Sequence, residues 1–446
     1  IGVDIIKNER IRKSIKSNLI TTPAQWAESW NFAGPWMDIE TDKFIMQVPS
    51  KWLKEIKPVI DYTTYNKINM YADQWDQVCD GVSESWGYPI DGHKPIVWLQ
   101  SDANQRTGNN GIGYPQVNGH QYYEGDRSTI KNMLRKDHGK PNPYWFMNYS
   151  QVWNDKTTWH EIGHAYLPFQ FGKDGNVGDE AIIEVSNMYI QNQKFGKTLQ
   201  RAYRNCFYDY TSNIDDPILW WATEDDFNVN RMTEQHKKYQ ARGMWYVMEL
   251  VCMYGWHVFT DYNKRAVSEG EADFQAGKPH KERWEETDDR IYNFCVHANA
   301  DLRPFFHMWG EPPKDASALA TKIANAGLHQ CAGVKARLLH YRSLIPKTNE
   351  EYRAIMARDG RTNMNSLPTW SSTKYDRVVK AIDQIIDLYL KTPETKSTCR
   401  SCGLAATKKG FEKPIPKQRI FYKHTYFTIR NPNMKTQSDT AILNLN

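Results

Sequence analysis

Residues 155–169 read DKTTWHEIGHAYLPF, and the meaning of HEIGH within them decides how the rest of the chain is read. In a helix, His160 and His164 stand one turn apart on the same face, so two imidazoles can converge on one metal ion with Glu161 beside them. Asp155 is suited to cap the first turn of that helix, and Pro168 to end it. This is the chemistry of a zinc peptidase. Because H-E-x-x-H also arises by chance, the five letters need support from their surroundings.

A catalytic zinc takes three protein ligands and keeps a fourth position open. Two histidines leave one ligand to find. In GDEAIIEVSN, residues 178–187, Glu180 and Glu184 are four apart and share one helix face, so spacing alone does not choose between them, and either is also readable as a solvated surface glutamate. The apolar positions Ile182, Ile183, Val185, Met188 and Tyr189 mark the segment as a buried helix.

Upstream, PWMDIETDKFIMQVPS (35–50) alternates apolar and polar positions as a half-buried strand does. Residues 60–87 read as a helix closed by Gly87, KPIVWLQSD (94–102) as another strand, and GNNGIGYPQVNGHQ (108–121) as a Gly/Asn-rich loop that could border a cleft. From Asp155 the helical period dominates, through GMWYVMELVCMYGWHVF (243–259) and TDDRIYNFCVHANADLRPFFHMWG (287–310). Pro312 and Pro313 break the pattern before a C-terminal unit, in which KYDRVVKAIDQIIDLYL (374–390) places Val378, Ile382, Ile385 and Tyr389 on one side of a helix.

With 446 residues the chain exceeds what one core usually serves, so two or three packed subdomains are expected. The net charge of +5 arises from 57 basic and 52 acidic residues, too even a balance to argue for a nucleic-acid or membrane partner, and no nucleic acid is expected. No run of about 18 apolar residues marks a transmembrane helix. Aromatic residues make up 13%, including 17 Trp and 25 Tyr, and would suit a groove for extended peptides or sugars as well as a core. The start at Ile1, followed by KNERIRKSIK, has no signal-peptide core and points to processing or to a piece of something longer. The cysteines at 79, 206, 252, 295, 331, 399 and 402 are odd in number and scattered, which favours thiols over a disulfide framework. For Cys399 and Cys402, a local bridge or two thiols is expected before a second zinc site. Asn148-Tyr149-Ser150 is a glycosylation sequon that matters only on a secretory route.

Glu184-Val185-Ser186-Asn187 after an H-E-I-G-H helix resembles the E-V-x-N stretch of the enhancin-like zinc metallopeptidases, which include viral enhancing factors and mucin-degrading bacterial peptidases. PWMDIETDKFIMQVPS and IGYP resemble that family's Pro-Trp strand and Gly-Tyr-Pro loop, YGWHVF its Gly-Trp helix, and LRPFFHMWGEP its closing segment. The likeness runs in the family's order over about 33–313. The mucin-degrading bacterial members continue with Asn and a further His after the second ligand; Ala165-Tyr166 here is closer to the viral factors.

The resemblance implies that His160, His164 and Glu184, rather than Glu180, bind Zn²⁺, with Glu161 as general base and Asn187 orienting a ligand. Tyr166, His257 and His297 are the candidates for an oxyanion stabiliser, each also readable as a packing residue, while Trp256 and Trp309 are read as core. The implied fold class is α+β, a zincin-like (gluzincin) peptidase with a strand-rich N-terminal half, a helical zinc-binding half and a helical C-terminal appendage. The corresponding boundaries are an arm at 1–32, the peptidase domain at 33–313 with its division at 154/155, and a C-terminal unit at 314–446. The implied substrate is a glycoprotein, mucin-like, cut by a secreted or virion-associated protein. The competing reading is a non-catalytic binding or structural subunit that assembles with other protein subunits and holds zinc structurally.

Overall fold

The computed structural model describes residues 23–31, 34, 36–41, 43–55, 57, 60–88, 97–102, 109–110, 116–119, 152, 156–167, 179–206, 216–223, 241–278, 287–358, 367–390, 427–430 and 441–443. The chain divides into two units, one of residues 1–80, 90–165 and 418–446, the other of 81–89 and 166–417. The class is α+β, with helices predominating and the strands gathered in one sheet.

The first unit is built on that sheet. Strands β1 (Trp36–Glu40) and β2 (Phe44–Pro49) form an antiparallel hairpin, so the 35–50 alternation expected for one strand is divided by a turn. Thr41 makes the turn: its Oγ1 accepts from the backbone N–H of Lys43 and of Phe44 at 3.1 and 3.2 Å and donates to Asp76 at 2.7 Å. The alternation survives the turn. Met37 and Ile39 pair with Val48 and Met46 on the buried face, and Gln47 donates to Asp38 across the other face at 3.1 Å.

Strand β3 (Val97–Asp102) lies parallel to β2, and β5 (Gln116–Gly119) parallel to β3, with β4 (Asn109–Asn110) antiparallel at the edge. Two short strands come from the far end of the chain: β6 (Phe427–Arg430) pairs with β1 and β7 (Ala441–Leu443) with β6. The sheet order is therefore β4-β5-β3-β2-β1-β6-β7. Residues 314–446 do not make one helical unit, because the unpaired edge of β1 takes its hydrogen-bonding partner from a segment about 390 residues away. The Pro23–Ser29 helix also belongs to this unit, anchored by the fully buried Trp26, whose indole donates to the Tyr62 carbonyl at 2.8 Å. The rest of the expected arm, 1–22, lies outside the described residues, as do Asp155, Pro168, the 111–115 part of the Gly/Asn loop, the sequon and Cys399-Arg-Ser-Cys402.

The second unit is helical. Its helices include Asp179–Tyr189, Ala241–Tyr254, His257–Gln275 and Thr287–Ala298, with a core in which Tyr262 stacks on Phe294 at 4.4 Å and Tyr246 meets Phe306 at 5.4 Å. Helices beyond Pro313 join this core instead of forming an appendage: Arg337 pairs with the buried Glu249, and His307 Nδ1 shares a hydrogen bond of 3.1 Å with the Tyr389 hydroxyl. The amphipathic Ser372–Tyr389 helix buries Val378, Ile382 and Ile385, as its periodicity predicts, and packs on the Arg303–Met308 helix. Cys79, Cys252, Cys295 and Cys331 are reduced thiols.

Gly87 ends the Tyr65–Ser85 helix with φ +78, a conformation in which other residues are strained. A Cβ there would also stand 2.2 Å from the backbone nitrogen of Lys264. Gly87→Ala is therefore expected to cost about 2 kcal/mol in urea unfolding, from the left-handed φ and the clash together. A loss below about 0.5 kcal/mol would show that neither constraint holds.

Candidate metal centre

HEIGH lies on the Lys156–Tyr166 helix, whose Trp159, Ile162 and Tyr166 are buried. These apolar side chains seat the helix by one stripe, and the polar ones occupy the remainder of its circumference. His160 is buried at 9% exposure, while Glu161 and His164 are half-buried. The two imidazole rings meet edge to face with centroids 4.9 Å apart. Two imidazoles bound tetrahedrally at metal–nitrogen distances of about 2.0–2.1 Å have centroids roughly 5 Å apart, so the pair fits a shared ion in residue type and spacing.

Glu184 lies on the Asp179–Tyr189 helix in the second unit, 8% exposed, and Ile182, Ile183, Val185 and Met188 around it are fully buried. Its Oε2 accepts a hydrogen bond from Asn187 Nδ2 at 3.1 Å, which uses one side of the carboxylate and orients the other. Asn187 is wholly buried, so this amide is held by packing as well as by the bond.

Among the described residues, no group of three His, Cys, Asp or Glu side chains is placed to hold one metal ion. Within their own helices the structure brings together His160 with His164, and Glu184 with Asn187. The first pair belongs to one unit and the second to the other.

Of the oxyanion candidates, Tyr166 is buried and meets Tyr88 edge to face at 5.7 Å, a packing role. Burial holds the His297 imidazole below the usual histidine range, and His257 is exposed. Trp309 is core, as read from sequence, whereas Trp256 is half-buried and donates to Asn192 Oδ1 at 2.7 Å.

Sequence reading missed what holds the Glu184 helix in place. Ser186 and Ser85 hydroxyls are 2.7 Å apart, the Tyr189 hydroxyl donates to Glu84 Oε2 at 2.9 Å, and Lys194 pairs with Glu84 Oε1 at 2.5 Å. Burial, reinforced by the charge of Glu84 and the hydrogen bond to it, pushes the Tyr189 phenol well above its ordinary pKa, so it stays a donor. After Tyr189 the chain widens into a π-helical turn, Ile190–Lys194. Asn192 in that turn donates to the Lys197 carbonyl at 2.6 Å and accepts from Trp256. The available signal was Gly81, a glycine inside a strongly helical stretch, which indicates close approach by a neighbour.

The sequence matches no family model and no curated protein. Among solved structures it is similar to a functionally unknown conserved protein from Bacillus anthracis str. Ames, at 15% identity and a TM-score of 0.50, covering 71% of this chain and 58% of that one. A mutant of such a protein from the same source gives 14% identity and a TM-score of 0.50, covering 70% and 56%. The IMPa metallopeptidase from Pseudomonas aeruginosa is similar at 14% identity with a TM-score of 0.40, covering 67% of this chain and 36% of that one. The chain spans a little over half the length of the two Bacillus anthracis structures, and at these identities the likeness concerns fold alone. No described helix is long and apolar enough to cross a membrane.

Proposed function

We propose that the protein is a zinc-dependent endopeptidase of enhancin-like, gluzincin type, acting on glycoproteins of mucin-like character. The observation that carries this reading is the convergence of the His160 and His164 rings, with Glu161 between them in sequence on the same half-buried helix. His160, His164 and Glu184 would hold the ion, Glu184 with its carboxylate oriented by Asn187. Zinc, when bound, supplies Lewis acidity that polarises the scissile carbonyl and acidifies water.

Glu161 performs the proton transfers. Its carboxylate accepts a proton from the attacking water and passes it to the departing amine, so one side chain serves both halves of the hydrolysis. The half-buried setting keeps it open to water while limiting its solvation. The mucin-like substrate, and secretion or association with a virus particle, come from the sequence resemblance.

The test is zinc analysis of the purified protein combined with incubation with a mucin and sequencing of the fragment termini. About one zinc per chain together with new internal amino termini supports the reading. Zinc without cleavage favours the non-catalytic subunit. No zinc at micromolar concentration rejects both.

A further inference from the structure

We propose that His307 and Tyr389 form an acid-released latch: while the imidazole is neutral they hold the last turn of the Ser372–Tyr389 helix on the Arg303–Met308 helix, and protonation of the imidazole lets that turn detach. The latch is independent of the proposed metal and lies wholly in the second unit.

Three contacts converge on Tyr389. His307 Nδ1 shares a hydrogen bond of 3.1 Å with its hydroxyl, and the two rings meet edge to face at 5.7 Å. The Arg303 guanidinium stands 5.7 Å from the centre of the same phenol ring, held by Asp301, which accepts from Arg303 Nε at 2.9 Å and from Nη2 at 2.6 Å. Gln330 donates to the Tyr389 backbone carbonyl, one of those that a helix end leaves without an intrahelical partner. The Asp301 N–H in turn donates to the His329 carbonyl at 2.8 Å, so the residues that grip Tyr389 are tied to one another.

The end of the helix depends on these contacts because its apolar grip has thinned. Val378, Ile382 and Ile385 are buried, whereas Asp387 is exposed and Leu388 is 66% exposed. Beyond Ile385 the buried apolar side chain is Leu390, which already follows the helix. A terminal turn with little covered apolar surface opens more readily than the middle of a helix.

Protonation acts on the His307 bond directly. A neutral imidazole and a phenol can each donate or accept, but an imidazolium donates at both nitrogens, so the phenol is left only as an acceptor. Burial keeps the Tyr389 phenol neutral, above its ordinary range, and holds the His307 imidazole below the usual histidine range. The charged neighbours are already committed: Arg303 to Asp301, Glu311 to Arg290, Arg337 to Glu249 and Arg342 to Asp383. Further titratable groups along the adjoining turns are Asp387, Lys335, His340, His329 and the buried thiols of Cys295 and Cys331. None of them outweighs burial in setting the His307 charge.

The docked imidazole thus has a pKa below its undocked value of about 6.5. Its contribution to docking is complete above that value and is lost as the pH falls from there through the docked value. One proton taken up only in the open state raises opening by at most about tenfold at one pH unit below 6.5.

The experiment is amide hydrogen exchange of the full chain at about pH 7.5 and about pH 5.5, read by mass spectrometry and corrected for the pH dependence of the chemical step. It compares wild type, His307→Gln, Tyr389→Phe and His297→Gln, the last because His297 is a second half-buried histidine. In the wild type, protection over 383–390 is expected to fall by about threefold to tenfold at the lower pH. The Tyr65–Ser85 helix, which contains no histidine, is expected to hold within about twofold. His307→Gln keeps a hydrogen-bonding amide that does not titrate and is expected to show no such fall, while His297→Gln keeps it. Tyr389→Phe, lacking the hydroxyl, is expected to exchange faster already at the higher pH.

Unchanged wild-type protection over 383–390, a wild-type fall in His307→Gln, or wild-type protection of Tyr389→Phe at the higher pH each overturns the latch. Equal loss from the Tyr65–Ser85 helix overturns it too, being acid unfolding of the whole chain. A pH titration of the wild type alone covers the case of a variant that does not fold. There the fall is expected to set in below about pH 6.5, and a midpoint above that value overturns the proposal.

Discussion

If the protein is the zinc endopeptidase proposed above, Glu161→Gln is expected to bind zinc as the wild type does and to lose glycoprotein cleavage, with kcat/KM lower by about 10²–10⁴-fold, the span typical of a removed general base. The reasoning is local to one helix. Glutamine matches glutamate in length and shape, so the Lys156–Tyr166 helix and the 4.9 Å imidazole pair should persist. A neutral amide has no basic oxygen that can take a proton from water and return it to an amine. Zinc stoichiometry and rate are therefore expected to separate. His160→Ala should lose both, and that contrast isolates proton transfer from metal binding. Near wild-type cleavage by Glu161→Gln would remove Glu161 from the mechanism, and loss of zinc from it would give Glu161 a structural role.

Removing Glu311 is expected to be the most destabilising single change considered, at about 3–5 kcal/mol. Arg290 on the Thr287–Ala298 helix is 1% exposed at its side chain, and its Nε and Nη2 both donate to Glu311 Oε2, at 3.3 and 3.0 Å. Glu311→Ala takes away that carboxylate and leaves a guanidinium charge in the interior with less compensation. By contrast, the solvent-facing pair Arg265–Glu269, one turn apart on a helix, should contribute less than about 1 kcal/mol when Glu269 is replaced. Urea unfolding of both variants checks the pair of expectations. A combined Arg290→Met, Glu311→Leu variant should recover much of the loss, since it removes the charges together. Equal effects for Glu311→Ala and Glu269→Ala would show that burial does not govern these pairs.

Much of the local structure was legible in the residues. The HEIGH helix, the alternation of Met37, Ile39, Met46 and Val48, and the stripe of Val378, Ile382 and Ile385 follow from period and polarity, which act over a turn of helix or a pair of strand residues. The convergence of His160 and His164 is readable for the same reason, since four residues of helix bring two side chains to one face. The bond from Asn187 to Glu184 has the same origin, three residues apart in one helix.

Contacts that need a second segment were not legible in this way. Periodicity in 427–430 and 441–443 says nothing of which strand edge lacks a partner, so the completion of the sheet from the far end of the chain is a tertiary fact. Pro312 and Pro313 end a helix wherever they occur. Whether the helices after them start a new core depends on pairs such as Arg337 with Glu249, 88 residues apart. Glycine at 81 and serine at 85 are unremarkable as letters, and they gain meaning only when Ile190 and Ser186 are set against them. The sequence by itself determined the helix and the histidine pair on one of its faces, because these depend on near neighbours. The tertiary structure alone decided what buttresses Glu184, how the sheet closes and where the units divide, because those depend on hydrogen-bonding groups and voids that distant segments must fill.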